Sequence, residues 1–356
     1  MLQDSGRIAG MDLGDDFSSV CIIDAVTGDV LEEARVRTRA VEVERFFRRH
    51  ERMRVAIETG THSPWVSRSI EACGHEVIVA NARRVRLVYA GMRKNDRLDA
   101  EKLARLARFD QGLLAPVRHR GREAQADLAV LRARGCLVRS RTALINHARG
   151  CMKSFGLRVP SCASSVFHER AAKVVPDDLA PALLPLVRTL ELLTQQIAEL
   201  DARVKCLADN EYPETVVLTQ VKGVAEVTAL TFVLTLEHPE RFRKSRSVGA
   251  FLGLSPGQRQ SGARDPGRRI TKEGDEEVRR LLVQCAHRIL GKRGVDSDLR
   301  RHGERIMKSG GKDAKRRAVV AVARKLAVLL HRLWCTGGVY EPLRNASREE
   351  RLAAAA

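Results

Sequence analysis

A chain of 356 residues is long enough for two or three domains, each with its own core. It carries 63 Lys and Arg against 44 Asp and Glu, and the surplus of +19 favours polyanionic partners over acidic-surface neutrality. Aromatic residues make up only 4%, which argues against a base-stacking platform and leaves Arg-to-phosphate contacts to supply affinity. No two of the eight cysteines stand at CxxC spacing, so structural zinc has little support; no apolar run is long enough for a signal segment or a membrane span. A reducing cytoplasm is the expected setting.

Residues 7–110 read as α/β. The runs Ile8–Met11, Val20–Ile23 and Val30–Val36 are strand-like and broken by turn residues such as Thr27-Gly28-Asp29. Val41–His50 is helical and Val55–Ile57 is a further strand. Ser63-Pro64 opens a helix, with Ser63 as cap, that stops near Gly74; Val77–Val79 returns to strand. Three early strands followed by alternating helix and strand predict a mixed sheet with helices packed on it. Residues 122–155 change character: Leu128, Leu131, Val138, Leu144, Ile145 and Met152 form an apolar stripe in a long Arg-rich helix. The prolines of Val159–Pro185 mark a connection. Leu193, Ile197, Leu200, Val204 and Leu207 then recur as a heptad seam, suited equally to a helix pair within one chain and to an intermolecular coiled coil. Beyond residue 211 come an apolar helix, Ala225–Leu236, a glycine-rich loop, Gly253–Gly262, and a basic turn, Arg268–Lys272. Asp275 caps a helix with Val278, Leu281, Leu282, Cys285 and Ile289 on one face, and a basic amphipathic helix runs from about Lys315 to Trp334 with its apolar face in the core. The expected fold class is α/β plus all-α: a mixed-sheet domain over 1–115, a long helical arm over 116–210, a mostly helical domain over 211–345 and a tail over 346–356.

Four carboxylates carry the chemistry. Asp12 ends the first apolar run and Glu58 ends a later one, while Asp96 and Asp99 lie three apart at the start of a helical stretch, on one face. Taken singly, each suits a turn, a solvated strand end or the first turn of a helix. Together, in this order, they match the layout of an RNase H or RuvC-type nuclease. Clustered acids repel unless a cation neutralises them, and hard divalent ions such as Mg²⁺ take oxygen ligands and clamp phosphoryl transfer. The basic stretches nominate Arg93, Lys94, Lys222, Arg264, Arg268, Arg269, Lys272, Arg279 and Arg280 for nucleic-acid backbones. In the glycine loop, Ser255 before Pro256 reads as a turn residue, whereas Ser261, between Gln260 and Gly262 with Arg264 near, is the better nucleophile. A serine nucleophile needs an activator, and no histidine lies close in sequence; otherwise Ser261 is a phosphate-contacting or turn serine. Gly223 suits a phosphate-gripping helix-hairpin-helix turn, although Ala225 and Glu226 occupy the region of its usual second glycine.

The whole chain resembles the DEDD transposases of insertion sequences, which recombine DNA under guidance of a bridge RNA. Gly10-Met11-Asp12, Ile57-Glu58-Thr59 and Lys94-Asn95-Asp96-Arg97-Leu98-Asp99-Ala100 are similar to that family's RuvC-like domain. Val221-Lys222-Gly223-Val224, Phe251–Pro256, Gln260-Ser261-Gly262 and Ile270–Gly274 are similar to its C-terminal transposase domain. The resemblance implies Mg²⁺ held by the four acids, Ser261 as the nucleophile that forms a phosphoserine link, and dimers paired into a tetramer around donor DNA, target DNA and RNA. It also implies a bacterial, nucleoid-associated protein and a site shared between the two domains in which the acid cluster activates the Ser261 hydroxyl. Two alternatives remain at this level. One is a RuvC-like nuclease or junction resolvase that uses water; the other is a non-catalytic nucleic-acid-binding assembly protein with structural acids.

Overall fold

A computed structural model of the chain describes residues 6–88, 95–257 and 268–345. The chain divides into two compact units, Met1–Arg120 and Gly121–Ala356.

In the first unit, β1 (Arg7–Asp12), β2 (Phe17–Asp24) and β3 (Val30–Arg37) form an antiparallel meander. After α1 (Ala40–Phe47), β4 (Arg54–Glu58) joins parallel to β1; after α2 (Ser63–Ala72), β5 (Glu76–Ala80) joins parallel to β4. The resulting sheet has the order β3-β2-β1-β4-β5, the mixed sheet expected of a RuvC-like domain. Alternation along the strands divides the core in two. Met11, Val20, Ile22, Val55 and Ile57 face Phe46, Phe47, Val66 and Ile70 of α1 and α2. Ile8, Cys21, Ile23, Ala56 and Ile78 face the other way, where α3 (Ala82–Val88) is followed by α4 (Asp96–Phe109) and Ala100, Leu103, Ala104 and Ala107 of α4 cover them. One cap differs from expectation. His62 is the N-cap of α2, and Ser63 instead closes a turn: its Oγ donates to Gly60 O at 2.8 Å and accepts from Gly60 N–H at 3.0 Å.

The second unit begins with α5 (Arg122–Ser154), which returns through α6 (Phe167–Ala172) into α7 (Ala180–Asn210). The two long helices run antiparallel, with Arg134 on Asp201 and Arg141 on Thr194. Ile197, Val204 and Leu207 of the heptad seam are buried, and Val204 and Leu207 share a cluster with Leu128 and Leu131 of α5. The seam is used within the chain. The expected connection Val159–Pro185 is shorter than the prolines suggested: Pro181 sits in the first turn of α7, where a missing N–H leaves no bond unmade, and Pro185 lies just inside the helix. Then follow α8 (Glu214–Thr219), α9 (Glu226–Leu236), α10 (Arg246–Phe251), α11 (Glu276–Ile289), α12 (Asp298–Lys308) and α13 (Ala314–Thr336). Asp275 Oδ1 accepts from Val278 N–H at 3.1 Å, the cap expected for α11. Phe232, Val248, Leu282, Val322 and Leu326 centre the core of this region. All but the first five residues of the expected segments 116–210 and 211–345 thus lie in one compact unit; Leu230 and Leu234 of α9 belong to the same cluster as the α5 and α7 residues. Among the described residues no helix is long and apolar enough to cross a membrane.

Candidate acid site and basic groove

Backbone geometry gathers the four acids at one end of the sheet. Met11 pairs with Ile57, and the next residue on each parallel strand is Asp12 and Glu58, so these end neighbouring strands about 4.8 Å apart. Asp12 stands two residues after Gly10, and Glu58 two after Ala56, which puts both on the face covered by α4. Helix α4 runs against β1. Its last turn is held at the strand's beginning, where Arg108 Nε donates to Ala25 O at 3.0 Å and Ala25 N–H donates to Gly6 O at 3.0 Å. Its first turn lies beside the strand's end, capped by Asn95, whose Oδ1 accepts from Arg97 N–H at 3.1 Å. The Arg97 guanidinium donates to Glu33. Asp96 and Asp99 belong to the stripe continued by Ala100, Leu103, Ala104 and Ala107, which faces the sheet.

The helix approaches as closely as backbone allows. A Cβ built on Gly10 would stand 2.0 Å from Ala100 O and 2.5 Å from Ala104 N, so only glycine fits there. The side chains are not drawn into one ligand set. Among the described residues no group of three or more His, Cys, Asp or Glu stands close enough together to hold a metal ion. Like charges repel, and Asp99 is engaged by the Lys102 ammonium at 2.8 Å. The donor set itself, carboxylate oxygens from two strand ends and one helix turn, fits a hard divalent cation.

The second unit carries a basic groove of about 1690 Å³. Arg268, Arg269 and Lys272 line it, as the sequence suggested. Arg246, Arg317, Arg324, Lys325 and Arg332 also line it and were missed. Four of these five sit on α13, and the usable sequence feature was the recurrence of Arg317, Arg324 and Arg332 every two turns, opposite the buried Val322, Leu326 and Leu330. His302, in the same groove, is held below its ordinary pKa by burial and then by Lys325 and Arg305. Two proposed contacts are otherwise engaged. The Arg279 guanidinium donates to Leu252 O at 3.1 Å and Glu273 O at 2.9 Å, and Arg280 is held by Glu277. Lys222 is exposed elsewhere, on the turn before α9.

Ser261, Arg93, Lys94 and Arg264 lie outside the described residues. Backbone contacts join Ser255–Gly257 to Arg269–Thr271 at the root of the Ser261 loop. Pro256 bridges Ile270, Gly257 N–H donates to Arg269 O at 3.1 Å, and Thr271 N–H donates to Ser255 O at 3.0 Å. Pro256, Arg268 and Arg269 of this root line the groove. Gly253 and Gly274 let its two strands touch: a Cβ on Gly253 would stand 2.2 Å from Glu273 O, and one on Gly274 2.1 Å from Phe251 O. Lys272 adopts a left-handed backbone at φ 57°, costly for a residue with a Cβ and frequent where function over-determines conformation.

Both halves have relatives. A transposase pattern of the DEDD IS110 type matches residues 9–156, and the pattern described as "Transposase IS116/IS110/IS902 family" matches residues 216–304. The transposase for insertion sequence element IS1328 of Yersinia enterocolitica is 31% identical over 65% of this chain and 69% of its own length. The transposase for element IS1111A of Coxiella burnetii is 30% identical over 80% of this chain and 78% of its own. A probable family 20 transposase of Pseudomonas aeruginosa is 28% identical over 72% and 77%. With both patterns matched and two relatives at 30% identity or above that align over most of their own length, the chain belongs to the IS116/IS110/IS902 family of transposases.

Proposed function

We propose that this DNA transposase exchanges strands through Mg²⁺ held by Asp12, Glu58, Asp96 and Asp99 and through Ser261 as nucleophile, guided by an RNA and assembled as dimers paired into a tetramer. The observation that carries the reading is the convergence of Asp12 and Glu58, at neighbouring strand ends, with the first turn of α4 on one face of the sheet. Membership of the DEDD family implies dependence on a divalent metal; Mg²⁺ is the identity that an all-carboxylate site favours. Bound there, the ion stabilises charge on the phosphoryl oxygens.

The remaining work falls to the chain's own residues. Arg268, Arg269 and Lys272 hold phosphates at the root of the Ser261 loop, which presents the hydroxyl to a backbone already seated in the groove. Ser261 Oγ bonds to phosphorus as the bond to the leaving sugar oxygen breaks, and the serine proton ends on that sugar hydroxyl. A hydroxyl from the second strand then attacks the phosphoserine, restoring both a phosphodiester and the free serine.

Trapping the reaction on DNA tests this. Wild type gives a protein–DNA adduct that maps to the peptide containing Ser261. Ser261→Ala abolishes exchange with fold and RNA binding intact, and Asp12→Ala abolishes it through loss of the metal. Cleavage that persists in Ser261→Ala, with no adduct in wild type, assigns the chain to water-using nucleases. An adduct on Ser255 keeps the class and moves the nucleophile.

A further inference from the structure

A second cationic cavity, of about 510 Å³, lies between the turn that precedes α9 and the loop that follows α11. Lys222, Arg288, Lys292 and Arg293 stand in its wall. All four are exposed, and among the described residues none of them is paired with a carboxylate. The acid in the lining, Asp296, is neutralised from outside the cavity: Arg301 donates to its two oxygens at 3.0 and 2.9 Å and holds its carboxyl below the ordinary range.

The backbone adds to this polarity. Carbonyls at the end of α11 and in the loop after it are collected by Arg300, which stands outside the cavity wall and whose Nη1 donates to Ile289 O at 3.0 Å, Gly291 O at 2.7 Å and Gly294 O at 3.0 Å. The negative ends of those peptides are thus satisfied elsewhere. Across from them the Lys222–Gly223 turn packs against the end of α11: Gly223 has φ 102°, and a Cβ there would stand 3.3 Å from Ile289 Cγ1. Gly291 and Gly294 of the facing loop also line the cavity.

We propose that this cup is a second phosphodiester-binding site, gripping a nucleic-acid backbone apart from the wide groove. Leu299, Tyr340 and Pro342 line both cavities and form the wall between them. That wall is fixed, since Tyr340 N–H donates to Gln220 Oε1 at 2.9 Å and Asp298 N–H donates to Pro342 O at 2.7 Å. One continuous strand, or two separate ones, therefore meets the unit at two places held at constant spacing. The inference rests on the strand-exchange reading and deepens it by naming where a second stretch of backbone is held.

The test is the salt dependence of binding by the full chain, measured with duplex DNA, single-stranded DNA and an RNA hairpin as separate probes. The variant Lys222→Gln, Lys292→Gln, Arg293→Gln lowers the slope of log affinity against log salt, by about 0.9 per lost phosphate contact on duplex DNA and about 0.7 on single strands. The probe whose slope falls identifies the strand that occupies the cup. A charge-matched variant on the helical arm, Arg170→Gln, Lys173→Gln, Arg188→Gln, leaves the slopes in place; an equal fall there would reduce the cup to generic surface charge. Unchanged slopes on all three probes, in a cup variant that melts like wild type, overturn the inference. If the triple variant does not fold, Lys292→Gln alone, on an exposed loop, decides by the same criterion. Wild type that forms the DNA adduct while the cup variants bind normally leaves the strand-exchange reading standing; wild type that binds none of the probes removes both.

Discussion

Gly10→Ala tests how the acid end of the sheet is built. A Cβ at this position would stand 2.0 Å from Ala100 O and 2.5 Å from Ala104 N, where real contacts stay beyond 3.0 Å. Both clashing atoms are backbone, so no rotamer relieves the contact and α4 must retreat from β1 by about 1 Å, the gap between 2.0 and 3.0 Å. Overpacking of this kind costs about 1–3 kcal/mol. For a unit of this size that is a melting temperature lower by about 4–12 °C. The larger consequence is at the site: the same shift carries Asp96 and Asp99 away from Asp12 and Glu58, and a misplacement of about 1 Å costs on the order of 100-fold in rate. The assay pairs a calorimetric melt with metal-dependent DNA cleavage. Gly6→Ala is the control, because nothing lies within 4 Å of a Cβ there. A Gly10→Ala protein that melts and cleaves like the control would falsify the claim that close approach of α4 positions the acids.

Other perturbations separate the remaining parts. Lys102→Met removes the ammonium that holds Asp99 at 2.8 Å, and tighter Mg²⁺ binding by titration calorimetry is the expected result; equal affinity means that Asp99 is not recruited by the metal. Lys272→Gly relieves the left-handed backbone at φ 57° and stabilises the protein by up to about 1 kcal/mol in denaturant melts, yet weakens DNA binding; if both move together, Lys272 is not a contact. Arg279→Ala leaves Leu252 O and Glu273 O without their donor and costs about 1–3 kcal/mol, a loss that a melt unchanged within error would contradict. His75 and His302 both have pKa values lowered from 6.5, chiefly by burial, so the unfolded chain takes up protons before the folded one. Their contribution is present above pH 6.5 and is lost as pH falls below it, and urea melts between pH 7.5 and 5.5 show the decline. In His75→Gln that decline becomes shallower; an unaltered pH profile would show that His75 does not contribute.

The placement of Asp12 and Glu58 was legible because strand ends are marked in sequence by where an apolar run stops. Asp12 and Glu58 each follow such a run, and parallel pairing of β1 with β4 does the rest. The closeness of α4 was written only as a glycine, whose demand for space is visible once Ala100 is known to lie above it. Two of the nominated basic residues meet protein partners for one physical reason. Arg279 and Arg280 lie in a run that also contains Arg268 and Lys272, but a guanidinium in the first turns of α11 meets backbone carbonyls and Glu277 before it meets solvent. Charge density along the chain does not reveal which cations are already engaged. The converse miss, the basic face of α13, came from reading that helix for its apolar stripe alone; Arg324 and Arg332 mark its other face just as regularly.

Gly10 and Gly253, one in each unit, show how local precision resides in residues without functional groups. At each, two backbone segments touch, and the contact fixes the register of a chemical group several residues away: the first turn of α4 in one case, the root of the Ser261 loop in the other. A side-chain contact at either place could adjust by changing rotamer, and the group it supports would drift with it. Backbone against backbone leaves no such freedom. The first turn of α4 and the segment Ser255–Gly257 can therefore be short, since Pro256 and Ile270 clamp one and the sheet itself backs the other. Phosphoryl transfer relies on positioning and electrostatics rather than on covalent chemistry by many groups, and a fold that fixes position through backbone contact is suited to that demand.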